Sequence, residues 1–121
     1  MKIVSYKELD IWKHGIEIVS LVFDATDSFP SEQKFILSSQ MQKAAISIPS
    51  NIAEGFARQY KNEFKQFLYI SLGSCSELET QLIITNRRNY ISKEQFSNLE
   101  KSLDSESKML MSLIKKVEKW S

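Results

Sequence analysis

Glycine stands only at Gly15, Gly55 and Gly73, and proline only at Pro30 and Pro49. Over 121 residues that is too little turn punctuation for a sandwich of many short strands. It suits a few long helices, and the apolar spacing agrees. Leu9, Trp12, Ile16, Val19 and Phe23 alternate steps of three and four, one stripe of a helix predicted over about 6–28. A second stripe runs beside it: Ile11, Gly15, Ile18, Val22, Ala25 and Phe29. Together they are wider than one bundle seam requires. Either both are buried in the chain, or the second packs on another subunit, where Gly15 and Ala25 permit close approach.

Ser28-Phe29-Pro30-Ser31 ends this helix, and Ser31 is the predicted N-cap of the next, with Glu32 in its first turn. Pro49 falls inside that second helix, at a cost of about 3 kcal/mol. The apolar phase from Leu37 through Met41, Ala44, Ile48, Ile52 and Phe56 nevertheless continues without a slip. One kinked helix over 31–59 is therefore predicted. A break at Ile48 with Ser50 as a new cap is the alternative. The third helix, 62–87, has Asn62 as its expected cap and Phe64, Leu68, Cys75, Leu78 and Leu82 as its main stripe. Gly73 costs its middle about 1 kcal/mol, which suggests a neighbouring backbone at close range. The fourth helix, 92–120, opens on the capping box Ser92-Lys93-Glu94-Gln95. Its seam, Phe96, Leu99, Leu103, Glu106, Leu110, Leu113, Val117 and Trp120, is nearly a strict heptad broken only by Glu106. Four long helices on tight turns predict an all-α, antiparallel up-down-up-down four-helix bundle, one domain spanning 1–121.

Composition narrows the function. Hydrophobic residues make up 42% and charged residues 26%, an ordinary soluble balance. No run of about 18 apolar residues offers a membrane span. Cys75 is the only cysteine, which excludes an intrachain disulfide, and the start does not read as a signal peptide. A cytoplasmic protein is expected. His14 and Cys75 are lone residues on apolar helices, weak grounds for a nucleophile and base. Cys75 is expected to pack as a small hydrophobe, and His14 to sit at a boundary or satisfy a hydrogen bond. The paired Glu-x-x-His pattern of di-iron bundles, a zinc ligand set and a phosphate-binding glycine loop are all absent. The chain is expected not to be an enzyme and to carry no metal or cofactor.

Two polar groupings remain. Gln40, Asn51, Glu54, Glu77, Gln81 and Glu106 lie on or beside apolar faces, where buried carboxylates need partners. Asn51, Glu54 and Glu77 are read as a structural polar core fixing register or subunit contacts, with a ligand site as the alternative. Replacing either glutamate with Ala is expected to lower stability or disturb assembly, by roughly 1–3 kcal/mol if a buried partner is left unpaired. Antiparallel helices would also gather residues 1–10, 54–67 and 112–121 at one end. There Arg58, Lys61 and Lys65 exceed Glu54 and Glu63, and Lys115, Lys116 and Lys119 exceed Glu118, for a net of +3. These six cations, with Tyr60 to stack on an unpaired base, are the candidate RNA or DNA contact. Lysines simply solvated at helix ends are the plainer reading. The whole chain carries only +1, so strong chain-wide affinity for nucleic acid is not expected.

The run from Gln40 to Gly55, QMQKAAISIPSNIAEG, resembles a family signature: Gln-x-x-(basic)-Ala-x-Ser-Ile followed by Asn-Ile-Ala-Glu-Gly. Glu63-Phe64-x-x-Phe67-Leu68 and Gly73-Ser74-x-x-Glu77-Leu78-Glu79-Thr80 are similar to its third helix. Phe29-Pro30 is similar to its first turn, and Leu9-x-x-Trp12 to its opening. The family is that of bacterial four-helix-bundle proteins met as intervening-sequence proteins within 23S ribosomal RNA genes. The accessory protein of diversity-generating retroelements is similar. The resemblance implies a homopentameric barrel of bundles with no assigned activity, and basic surfaces that engage nucleic acid or a protein encoded nearby, such as a reverse transcriptase. Phe56-Ala57-Arg58-Gln59-Tyr60 departs from it in being less basic. The two expected functions are thus an oligomeric nucleic-acid-associated scaffold with a basic rim, or a purely structural or protein-binding homo-oligomer.

Overall fold

A computed structural model describes residues 4–120, with the side chains of all of these except 33–35. Lys2, which belongs to the end whose charges are summed above, and the side chain of Lys34 lie outside the described residues.

The chain opens on a 3-10 turn, Tyr6–Glu8, fixed by a capping box. The Glu8 carboxylate accepts from the Val4 and Ser5 amides at 2.9 and 3.2 Å, and Ser5 Oγ accepts from the Lys7 amide at 3.2 Å. Leu9 is extended (ψ 129), so helix α1 runs Asp10–Thr26, later than the spacing predicts. Ser31 does not cap the second helix. A 3-10 turn (Ser31–Gln33) and a π turn (Lys34–Ser38) come first. They carry the chain from Phe29, anchored beside Tyr90 at a ring separation of 6.1 Å, to the buried Met41. Helix α2 is Ser39–Ala57, unbroken through Pro49, so no second cap forms at Ser50. The buried hydroxyl of Ser71 donates to the Ile48 carbonyl at 2.9 Å and ties the neighbouring helix to this stretch.

Helix α3 is Lys61–Arg87 and helix α4 is Lys93–Glu118. Asn62 is not the cap of α3. Tyr60 holds that place with an extended backbone and no side-chain hydrogen bond, after Gln59 turns the chain in the left-handed region (φ 67). Asn89 (φ 59) ends α3 in a Schellman motif. Its amide donates to Asn86 O at 3.1 Å and the Tyr90 amide to Thr85 O at 3.0 Å. Ser92 caps α4 as its sequence predicts, accepting from the Gln95 amide at 3.1 Å.

The result is a four-helix bundle in which α1 packs on α2 and α4, and α3 packs on α2 and α4. The described residues contain no strand, and no described helix is long and apolar enough to cross a membrane. Ile18, Met41, Ile48, Ile52, Leu68, Leu78, Leu82, Leu99, Leu103 and Leu110 fill the core.

The two stripes of α1 are sorted oppositely to the subunit reading. Ile11, Gly15, Ile18, Val22 and Ala25 face inward, while Ile16 and Phe23 of the other stripe are 41% and 37% exposed. Small residues decide this. A Cβ on Gly15 would stand 3.4 Å from Pro49 Cβ and 3.5 Å from both Ile48 and Glu106, so the glycine face allows α1 to approach α2 and α4. Of the bulkier stripe, Leu9 is buried, Trp12 and Val19 pack partly against the core, and Ile16 and Phe23 are left outside. The chain exposes 7542 Å², more than the roughly 6,700 Å² expected of a compact monomer of this mass.

Candidate functional site

Three places in the bundle hold polar or aromatic groups in unusual arrangements: one end, the α2–α3 seam and the centre.

At the end of the bundle, residues 4–6, 56–57 and 59–61 with Phe64 and Trp120 line one groove. Phe64 forms its floor, 5.7 Å from the Phe56 ring and 6.0 Å from the Trp120 ring, while Tyr60 is 69% exposed at its edge. The six cations expected here meet different fates. Arg58 donates to Glu54 at 2.9 Å and to Glu63 at 3.3 Å, and its guanidinium lies 5.2 Å from the Phe67 ring. The two carboxylates raise its pKa above the ordinary range. Lys61 Nζ donates to the Trp120 carbonyl at 2.8 Å, and Lys65 lies 3.9 Å from Glu118. Lys115, Lys116 and Lys119 have no carboxylate at ion-pair distance among the described residues, and they line one shallow hollow on α4 with Met111 and Ser112. The free cations are therefore those of α4, whereas Arg58, Lys61 and Lys65 are engaged within the chain.

Within the single chain, two of the three expected polar-core residues lie outside the core. Glu54 and Glu77 are exposed, so neither is a buried carboxylate of this chain. Glu54 turns outward because it follows Asn51 on the side of α2 that meets Arg58 one turn on. Asn51 does sit in a seam. Its amide donates to Ser47 O and Ser47 Oγ, both at 2.8 Å, and Ser47 Oγ lies 2.8 Å from Ser74 Oγ on α3.

The buried carboxylate is Glu106, with no exposed surface, at the one break in the α4 heptad. Its Oε1 lies 3.0 Å from His14 Nδ1 of α1, and its Oε2 has no hydrogen-bond partner among the described residues. Burial pushes its pKa up to about 8. Cys75 of α3 is buried nearby, and burial followed by the charge of Glu106 pushes its thiol up to about 12. A thiol so held is a poor nucleophile near neutral pH. Sequence spacing flagged Glu106 as a seam residue but carried no sign that His14 would meet it across 92 positions. Among the described residues, no group of three or more His, Cys, Asp or Glu is placed to hold a metal ion.

Comparison with known proteins adds two likenesses. A family model described as 23S rRNA-intervening sequence protein matches residues 7–112. The chain is also similar to a crystal structure of a protein with unknown function from the S23 ribosomal protein family of Bacteroides thetaiotaomicron. The two share 28% identity with a TM-score of 0.80, over 87% of this chain and 95% of that one. No curated protein matches the chain.

Proposed function

The chain belongs to the 23S rRNA-intervening sequence protein family, and we propose that it is a non-enzymatic scaffold that assembles with copies of itself. The observation that carries this is a pair of unlike apolar faces left without partners. One lies between α1 and α2, where Trp12, Ile16, Val19, Ile46, Pro49 and Ala53 line a hollow. The other lies on α3, where Tyr69, Ile70, Ile83 and Ile84 are 39–51% exposed. Gly73 sits among them, and a Cβ there would meet nothing within 4 Å. A glycine in mid-helix with open space before it has no reason within its own chain. A neighbouring backbone supplies one.

Two unlike faces imply head-to-tail contact, which closes into a ring when the rotation allows. Membership in the family favours five subunits, a homopentameric barrel. The up-down-up-down, antiparallel course of each subunit is supported by the short turns and by the meeting of Phe29 with Tyr90 and of Phe64 with Trp120. Cys75, its thiol pushed up to about 12 by burial, is a poor nucleophile, which fits a non-enzymatic role. Light scattering is the test. The expected mass is about five times the 14.0 kDa chain. A 14.0 kDa particle at micromolar concentration would overturn the reading.

A second reading, nucleic-acid contact by the scaffold, is favoured by the unpaired Lys115, Lys116 and Lys119. One subunit offers too few phosphate contacts for useful affinity, and a ring repeats them around a rim. Single-stranded RNA and DNA should then bind weakly, with steep salt dependence, and a Lys115/Lys116/Lys119 triple-Ala variant should lose binding. The Arg58/Lys61/Lys65 triple variant should lose less, because those cations are already engaged. No binding at low salt leaves the scaffold alone.

A further inference from the structure

The scaffold reading makes no use of the only fully buried carboxylate described in the bundle or of the chain's one histidine. Glu106 has no exposed surface, while the side chain of His14, bonded to it at 3.0 Å, is 23% exposed. The imidazole therefore spans from the solvent to a carboxylate in the centre of the bundle. It is the sole hydrogen-bonded partner, since Oε2 is unpaired among the described residues. The surroundings offer Glu106 no second counter-charge. Gly15 of α1 has Glu106 on one side and Ile48 and Pro49 of α2 on another, the Cys75 thiol of α3 is close enough to feel the carboxylate's charge, and on α4 the neighbours one turn away are Ser102, Leu103, Met109 and Leu110. On α1, Asp10 and Glu17 stand four residues before and three after His14, both exposed and both acidic.

We propose that the His14–Glu106 pair is a protonation switch on the docking of α1 against α4. While the Glu106 carboxyl holds its proton against His14, α1 is latched to the core. When that proton is lost in mildly alkaline medium, a charged carboxylate is left inside the bundle beside a neutral imidazole, and α1 loosens. Because α1 carries the outward stripe of Trp12, Ile16, Val19 and Phe23, the same step weakens assembly; this last part rests on the scaffold reading.

The direction follows from linkage. Burial raises the Glu106 pKa in the fold, from 4.5 to about 8, so the folded chain binds the carboxyl proton more tightly than the unfolded chain does. That contribution to stability is full below about pH 4.5, declines as pH rises through the window up to about 8, and is gone above it. Cys75, pushed up to about 12, keeps its proton across this window and adds no charge.

The test uses the whole chain. Melting temperature is measured from pH 6 to pH 9.5 for the wild type, Glu106→Gln and His14→Gln. The His14 ring signal, unambiguous in a chain with one histidine, is followed by NMR over the same range. The wild type should lose about 5 °C or more between pH 6 and 9, whereas Glu106→Gln should be flat over that range. The ring signal should sense a step near pH 8 that is absent in Glu106→Gln. His14→Gln, with no imidazole to share the proton, should fall more steeply than the wild type. An equal slope in the wild type and Glu106→Gln, or no such step in the ring signal, would overturn the switch. Should Glu106→Gln fail to fold, the wild-type ring titration decides alone. Light scattering at pH 6 and pH 9 separates the two claims. A switch in stability with a monomer at both pH values keeps the latch and removes the scaffold.

Discussion

The inner and outer stripes of α1 are similar in hydrophobicity and opposite in fate. Ile11, Gly15, Ile18, Val22 and Ala25 are buried, and Ile18 and Val22 are completely so. Trp12, Ile16, Val19 and Phe23 remain half-buried or exposed. The difference is size. A stripe with glycine and alanine lets two helices come close, and close approach gains more contact than one bulky side chain can. The stripe with the larger side chains is then available to something outside the chain. Apolar content alone did not distinguish the inner face from the outward one here; the distribution of small residues did.

The largest break in this comparison is expected at Ile18. Its side chain has no exposed surface, so Ile18→Ala should cost about 2–5 kcal/mol in urea unfolding. The equivalent truncation at Ile16, 41% exposed, should leave the isolated chain's stability within about 0.5 kcal/mol and act on assembly instead. Similar losses at the two positions would mean that the stripes are not distinct.

Gly73 sharpens the same point on α3. With open space around it, Gly73→Ala should raise helix stability by up to about 1 kcal/mol in the isolated chain. If a neighbour's backbone lies against it, the added methyl should weaken assembly while the chain itself gains. A gain in both measurements would place the contact elsewhere. Gly55 provides the contrast, since a Cβ there would stand 2.5 Å from Phe67 Cβ inside the chain. Gly55→Ala should therefore destabilise, by about 1–3 kcal/mol.

The smallest effects belong to the exposed carboxylates. Glu54→Ala and Glu77→Ala should each change the stability of the chain by less than about 0.5 kcal/mol, measured by urea unfolding. This replaces the loss that their positions beside apolar faces had suggested.

Much of the architecture was legible because helices announce themselves by period and cap. The α4 seam from Leu99 to Leu110, its Ser92 cap and the continuity of α2 through Pro49 all follow from residue spacing, whereas near the end Ile114 takes the inner place expected of Leu113 and Trp120 is left exposed. What was not legible depends on contacts between distant positions. Both stripes of α1 have helical period, and only Pro49 and Glu106 packed over Gly15 show which is inner. Glu54 and Glu77 looked internal because they border apolar stripes, but a helix face is set by tens of degrees, and theirs fall on the solvent side. The 3-10 and π turns over Ser31–Ser38 also displaced a start that Ser31 and Glu32 advertised. At the other end of the scale, Ser5 and Glu8 formed a readable capping box that the apolar pattern overshadowed. For the candidate site, the charges of Lys115, Lys116 and Lys119 and the i,i+4 pairing of Arg58 with Glu54 are open to reading from spacing, whereas the contact of Lys61 with the Trp120 carbonyl needs the neighbouring helices in place.

In the proposed assembly two unlike faces, one on α1–α2 and one on α3, join successive copies head to tail. Two variants test it directly: Ile16→Glu, which spoils the first face, and Ile84→Glu, which spoils the second. Sedimentation velocity should show each variant alone as a monomer of 14.0 kDa that remains folded. Mixed in equal amounts, they should form a species of about twice that mass and nothing larger, because one intact face of each kind remains and cannot close a ring. A mixture that stays monomeric, or single variants that assemble as the wild type does, would contradict the account.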